Sequence, residues 1–161
     1  MLRYCCLIAM LFLCSCKSSF YYVVRHAEKE TATMSSDVAL SAEGKQRAEA
    51  LKDSLWGKNI QSIYASNYIR TKSTAQPLAD ARNLRIEIYN PADSSFIPKL
   101  KREKTGNVLI VGHSNTVDNL VNQLMGEVII PADLPETQYG DLFIIKRKGN
   151  HYRFQKSHFG K

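Results

Sequence analysis

The chain has 161 residues, 44% of them hydrophobic and 23% charged, with a net charge of +7. A chain of this length and composition is neither disordered nor dependent on disulfide or metal staples, because one core can bury roughly two thirds of its unfolded surface. The basic balance fits a solvated surface or an attraction to anions, but the runs KLKREK at 99–104 and KRK at 146–148 are too short to favour nucleic acid.

All four cysteines, Cys5, Cys6, Cys14 and Cys16, lie in the first sixteen residues. Arg3 gives a positive start, and Leu7 to Leu13 form an apolar stretch too short to span a bilayer. Leu13 to Cys16 (LCSC) resembles the lipobox of bacterial lipoproteins. That resemblance implies a signal peptide over 1–15, a lipid anchor on Cys16, a short tether over 16–19 and one extracytoplasmic, membrane-anchored domain over 20–161. An ordinary cleaved signal or a weak anchor helix fits the same residues. A mature body that keeps only Cys16 has neither a disulfide nor a cysteine nucleophile.

The body reads as alternating strands and helices. Phe20 to Val24 is a continuous apolar run, the pattern of a strand covered on both faces. Ser41 is placed to cap a helix carrying Ala48, Leu51 and Leu55, and Gly57 to end it. Ile60 to Ala65 reads as a second strand. A helix follows from about Tyr68 to Arg82, and Pro77 is expected to kink it or cut it short. Arg85 to Tyr89 alternates like a strand, and Asp93 to Glu103 has room for a short helix. Val108 to Val111 is another apolar strand. Val117, Leu120, Val121, Leu124 and Met125 recur at helical spacing, with Gly126 as the C-terminal cap. A loop with Pro131 and Pro135 leads to a closing hairpin, Leu142 to Arg147 and Tyr152 to Lys156. The fold class is therefore α/β, a three-layer sandwich with a mostly parallel central sheet and an antiparallel C-terminal edge.

In such a sheet ligands bind beyond the carboxyl ends of the strands. The first strand delivers Arg25 and His26 there, the second leads to Arg70, and the VLIV strand delivers Gly112, His113 and Ser114. Taken singly, each is as well explained by a salt bridge, a tight turn or a solvated helix start. Gathered at one end of one sheet, they suit phosphate. Arginine forks match phosphoryl oxygens, and a neutral histidine among cations can attack phosphorus. No metal or cofactor is needed, and His151 and His158 have no ligand-like spacing to His26 or His113.

The segments VVRHAEK, SAEGKQRAEAL, IYASNYIRTKSTAQPLA and VLIVGHSNTV stand in the order found in the histidine phosphatase superfamily, in its phosphoglycerate-mutase-like branch. The resemblance runs from about Phe20 to Arg147. The family's Arg-His-Gly is here Arg25, His26 and Ala27. Ser41, Gly44, Arg47 and Ala48 match the second motif, Ser66, Arg70, Thr74 and Ala75 the third, and Gly112 and His113 the fourth. The resemblance implies that His26 is the nucleophile and that Arg25, Arg70 and His113 form the phosphate pocket, with Glu28 beside it or merely exposed. The proton donor is expected at Asp93, which serves equally well as a helix cap. Small relatives without a distinct acid suit good leaving groups such as phosphohistidine.

The stretch from Ile88 to Val108 is too short for the large cap of a mutase, so the expected activity is metal-independent hydrolysis of phosphomonoesters. The expected ligands are phosphate or vanadate, and the expected substrates are phosphorylated small molecules or glycans. Two other readings fit less of the sequence. One is a lipoprotein that binds phosphate-bearing ligands without turnover. The other is a serine hydrolase using Ser114 in GHSNT, which would need His151 or His158 as its base.

Overall fold

A computed structural model describes residues 18–30, 37–103 and 106–160. The signal and anchor expectations, Cys16 included, lie outside the described residues. Six strands form one sheet in the order β3-β2-β4-β1-β5-β6. They are β1 (Ser19–Arg25), β2 (Ile60–Ser66), β3 (Ile86–Tyr89), β4 (Asn107–Gly112), β5 (Asp141–Lys148) and β6 (His151–His158). The first four strands run parallel, and β5 and β6 close one edge antiparallel.

Alternate residues of the central strands feed two cores. Tyr22, Val24, Ile63, Leu109 and Val111 pack against helices α1 (Ala42–Leu55) and α2 (Ile69–Arg82). Tyr21, Val23, Val108 and Ile110 pack against α3 (Phe96–Glu103) and α4 (Val117–Met125). Residues 20–24 of β1 and 108–111 of β4 are apolar because both faces are covered there. Each fully buried aliphatic side chain there contributes about 1.5–3 kcal/mol. These layers match the expected sandwich. Among the described residues no helix is long and apolar enough to cross a membrane.

Local signals differ from expectation in two places. Ser41 does cap α1, accepting from Gly44 N at 3.1 Å, but Gly57 does not end the helix. A 3₁₀ turn over Trp56–Lys58 follows α1, and Asn59 takes the left-handed conformation at φ 48°. Asparagine tolerates that region, so the turn needs no glycine. Pro77 does not cut α2 short either. Its missing N–H costs one helical bond, but Thr74, Ala75, Leu78 and Ala79 are buried against the sheet and hold both halves in place. Gly126 ends α4 at φ 81°, as its position predicts.

The second motif has a positioning role. A Cβ on Gly44 would stand 2.2 Å from the Glu28 carbonyl oxygen, so α1 passes directly over the segment after β1. Ala48 is buried with Ala27 and Leu40, and Arg47 grips Glu28 through Nε at 2.7 and 2.9 Å. Helix α1 thereby fixes the backbone on which His26 stands.

Candidate active site

His26 follows β1 directly and is 3% exposed. Its backbone N–H donates to Gly112 O at 2.9 Å, tying it to the end of β4. The next residue, Ala27, donates its N–H to Thr74 Oγ1 at 2.9 Å, tying it to α2. The ring Nδ1 lies 2.7 Å from Ala27 O, an acceptor only, so Nδ1 carries the proton and Nε2 keeps its lone pair. Burial, helped by Arg25, His113 and Arg70, lowers the imidazole pKa to about 3. His26 is therefore neutral at ordinary pH, the state a nucleophile requires.

His113 stands edge-on to His26, with ring centroids 5.4 Å apart. Its Nδ1 lies 3.3 Å from Arg70 Nη2, and its Nε2 lies 2.7 Å from Ser66 Oγ. Arginine only donates, so Nδ1 accepts and Nε2–H donates to Ser66. Ser66 in turn reaches Thr71 Oγ1 at 3.2 Å, and Thr71 donates to Ser66 O at 2.7 Å. This relay fixes the tautomer of His113 and turns Nδ1 toward Arg70. Burial first, then Arg70 and Arg25, lower its pKa to about 4.

The side chains His26, Arg70 and His113 line one cleft of about 730 Å³, together with Lys29, Ser114 and Glu136. Arg25 is 3% exposed and does not line it. Its Nη1 donates to the carbonyls of Pro135, Glu136 and Gln138, and its Nη2 donates to Glu136 Oε2 at 2.9 Å. The Nε–H groups of Arg25 and Arg70 are buried without a partner among the described residues. Two buried, unpaired cationic donors beside a neutral histidine suit an anion with several oxygens.

The structure does not bring two other candidates into the cleft. Glu28 pairs with Arg47, Oε1 to Nη2 at 2.7 Å, and is outside the lining. Asp93 is exposed and accepts from Ser95 N at 2.8 Å in the turn before α3. The Ser95 side chain first, then this backbone bond, lower its pKa, and the carboxylate faces a neighbouring depression along β3. Its geometry is that of an Asx turn ahead of α3. Ser114 donates to Glu136 Oε1 and not to a histidine. His151 sits at the opposite end of the sheet, paired with Lys148, and His158 lies 3.9 Å from Asp141. No serine triad forms among these residues.

Sequence reasoning missed Glu136, the one carboxylate lining the cleft among the described residues. Its hydrogen bond from Ser114, then Arg25, hold it below the usual carboxylate range. It lies in the loop after α4, 111 positions from Arg25, so no local pattern reveals it. Asp37 was also missed. It accepts from Ile69 N at 2.6 Å, at the start of α2, and lies 3.9 Å from Arg70 Nη1. Among the described residues no group of three or more metal-ligating side chains is clustered.

Residues 21–90 match the model of the histidine phosphatase superfamily, branch 1. No curated protein matches the chain. Among solved structures, the protein histidine phosphatase SixA complexed with tungstate aligns with a TM-score of 0.67 at 17% identity, covering 86% of this chain and 96% of that one. A mycobacterial glucosyl-3-phosphoglycerate phosphatase aligns at 0.64 and 13% identity, covering 88% and 98%. A phosphoserine phosphatase mutant from Entamoeba histolytica, in complex with phosphoserine, aligns at 0.63 and 13%, covering 88% and 96%. At these identities the structural likeness speaks for the fold alone. The match to the histidine phosphatase model spans 21–90 and contains Arg25, His26 and Arg70, and the solved structures share the fold over the rest of the domain.

Proposed function

We propose that this protein hydrolyses phosphomonoesters through a phosphohistidine on His26, without a metal. The observation that carries the reading is the tautomer of His26: a buried, neutral ring whose proton is held at Nδ1 by Ala27 O, which leaves Nε2 as the nucleophile. The phosphoryl group would sit against Arg70 and His113, with the unpaired Nε–H of Arg70 supplying a further donor.

Glu136 takes the proton role expected of Asp93. A substrate monoanion passes its proton to Glu136 on binding, and the arriving negative charge draws Arg25 away from the carboxylate. Nε2 attacks phosphorus, the P–O ester bond breaks, and Glu136 protonates the departing oxygen. Water then attacks the phosphohistidine, the N–P bond breaks, and its electron pair returns to Nε2. Glu136 takes the water proton and releases it with phosphate. The sum is ester plus water to alcohol plus phosphate.

The rim of the cleft offers Tyr68, Asn67, Asn90 and Asn115, an aromatic face beside amides. That lining suits the hydroxyl-bearing leaving group of a sugar phosphate or a phosphorylated glycan. Cys16 is proposed as the lipid anchor of an extracytoplasmic domain, to be checked by acyl labelling of the parent and Cys16→Ser. The activity test is phosphate release in EDTA from an aryl phosphate and a panel of natural monoesters, with His26→Ala alongside. Turnover by the parent alone supports the reading. Phosphate or vanadate binding with no turnover by either would leave a binding protein.

A further inference from the structure

The cleft lies at the carboxyl ends of β1, β2 and β4. The other end of the sheet carries a different surface. There, Phe20 N donates to Asn107 Oδ1 at 3.0 Å, and Asn107 Nδ2 donates to Lys58 O at 2.5 Å. These bonds join the starts of β1 and β4 to the 3₁₀ turn that bears Trp56. Trp56 is the only tryptophan of the chain and is 55% exposed. The Arg82 guanidinium carbon stands 4.7 Å from its ring centroid.

On the same end, Phe20 pairs in register with Lys146, whose Nζ lies 5.7 Å from the Phe20 ring. Lys146 pairs with Arg153 across the hairpin, and Lys148 with His151. These four side chains line one shallow depression of about 320 Å³, and no carboxylate lines it. Asp53, an exposed carboxylate on α1, is paired with Lys52 at 3.4 Å. Cations and the aromatic rings of Trp56 and Phe20 thus share this end of the domain, from Arg82 and Lys58 to Lys146 and Arg153.

The chain enters the domain here. Ser18, the first described residue, precedes β1 directly, and the apolar stretch Leu7 to Leu13 stands a few residues before it. A lone exposed tryptophan is poorly placed in water but well placed at headgroup depth, where one side is apolar and the other wet. Lysines and arginines beside it attract anionic headgroups at short range. We infer that this end of the domain is a docking surface for an anionic lipid bilayer. Charge complementarity and the exit point of the chain select a membrane over a soluble polyanion. The inference rests on the reading that residues 1–16 bring the protein to a membrane. Its consequence is an orientation: the His26 cleft points away from the bilayer, toward soluble substrates.

Trp56 reports directly on this surface. The full-length protein would be reconstituted into vesicles of phosphatidylcholine alone or with added phosphatidylglycerol. The N-terminal segment is present on both, so only docking of the basic end distinguishes them. Docking predicts a shift of Trp56 emission to shorter wavelength and a loss of acrylamide quenching with phosphatidylglycerol only. High salt should undo both, by screening, and K146E/R153E should abolish them. The inference is overturned by identical emission from the two vesicles, or by a phosphatidylglycerol-dependent shift in the parent that survives high salt. A shift retained in K146E/R153E would overturn it too. Aryl phosphate turnover and the mass of Cys16, read on the same samples, report separately on the phosphatase and anchor readings. Neither changes how the Trp56 result is judged.

Discussion

Glu136 Oε2 lies 2.9 Å from Arg25 Nη2, so a loop carboxylate holds the arginine at the tip of β1. The same carboxyl group accepts from Ser114 through Oε1. Glu136→Gln keeps the size and an acceptor but cannot carry a proton. It should lower turnover of alkyl monoesters by about 10²–10⁴-fold, while an aryl phosphate with a good leaving group keeps most of its rate. Steady-state rates on the two substrates decide it. An equal loss on both would make Glu136 a positioning residue for Arg25.

Ser66 holds His113 in place. Its Oγ accepts the Nε2 proton at 2.7 Å and fixes the tautomer that turns Nδ1 to Arg70. Ser66→Ala leaves a buried N–H unpaired, a cost of about 1–3 kcal/mol. Vanadate affinity should fall by about tenfold or more, and Ser66→Thr should recover part of it. Titration of vanadate against the three proteins is the check.

The pKa values of His26 and His113 make stability depend on pH. Both are lowered, to about 3 and about 4 from an ordinary 6.5. Between pH 6.5 and about 4 the unfolded chain binds protons at these rings and the folded chain does not. Stability therefore falls as the pH drops through that window and is unaffected by these rings above it. The urea midpoint should decline from pH 7.5 to 4.5, and H26N/H113N should decline less. Bound phosphate should also flatten the decline, because its charge favours the imidazolium forms.

The sequence carried the sheet plainly, because β1 and β4 are covered on both faces and read as unbroken apolar runs. It carried His26, Arg70 and His113 as well, because each follows a strand whose carboxyl end is predictable. The engagement of Arg25 was not legible. Its partners lie on a loop more than a hundred positions away, held by backbone carbonyls that any sequence supplies. Glu136 was hidden for the same reason. Asp93 was misleading because a carboxylate before a short helix has two uses, and only the contact with Ser95 distinguishes them. Asn59 replaced Gly57 as the turn residue because asparagine also reaches positive φ.

Gly44 tests how the second motif supports the first. A Cβ there would meet the Glu28 carbonyl oxygen at 2.2 Å, and that atom belongs to the backbone. Either α1 or the segment carrying His26 must shift. Gly44→Ala should cost at least about 1–3 kcal/mol, despite placing alanine in a helix. It should also depress turnover in the molecules that remain folded. Thermal melting and specific activity of the soluble fraction check both parts.

The proposed reaction depends first on the nucleophile, His26. Incubation with a radiolabelled phosphodonor in EDTA, followed by alkaline quenching and peptide mapping, would locate the covalent intermediate. The prediction is base-stable, acid-labile label on His26, absent from His26→Ala and unchanged in Ser114→Ala. Label on Ser114, or turnover that persists in His26→Ala, would contradict it.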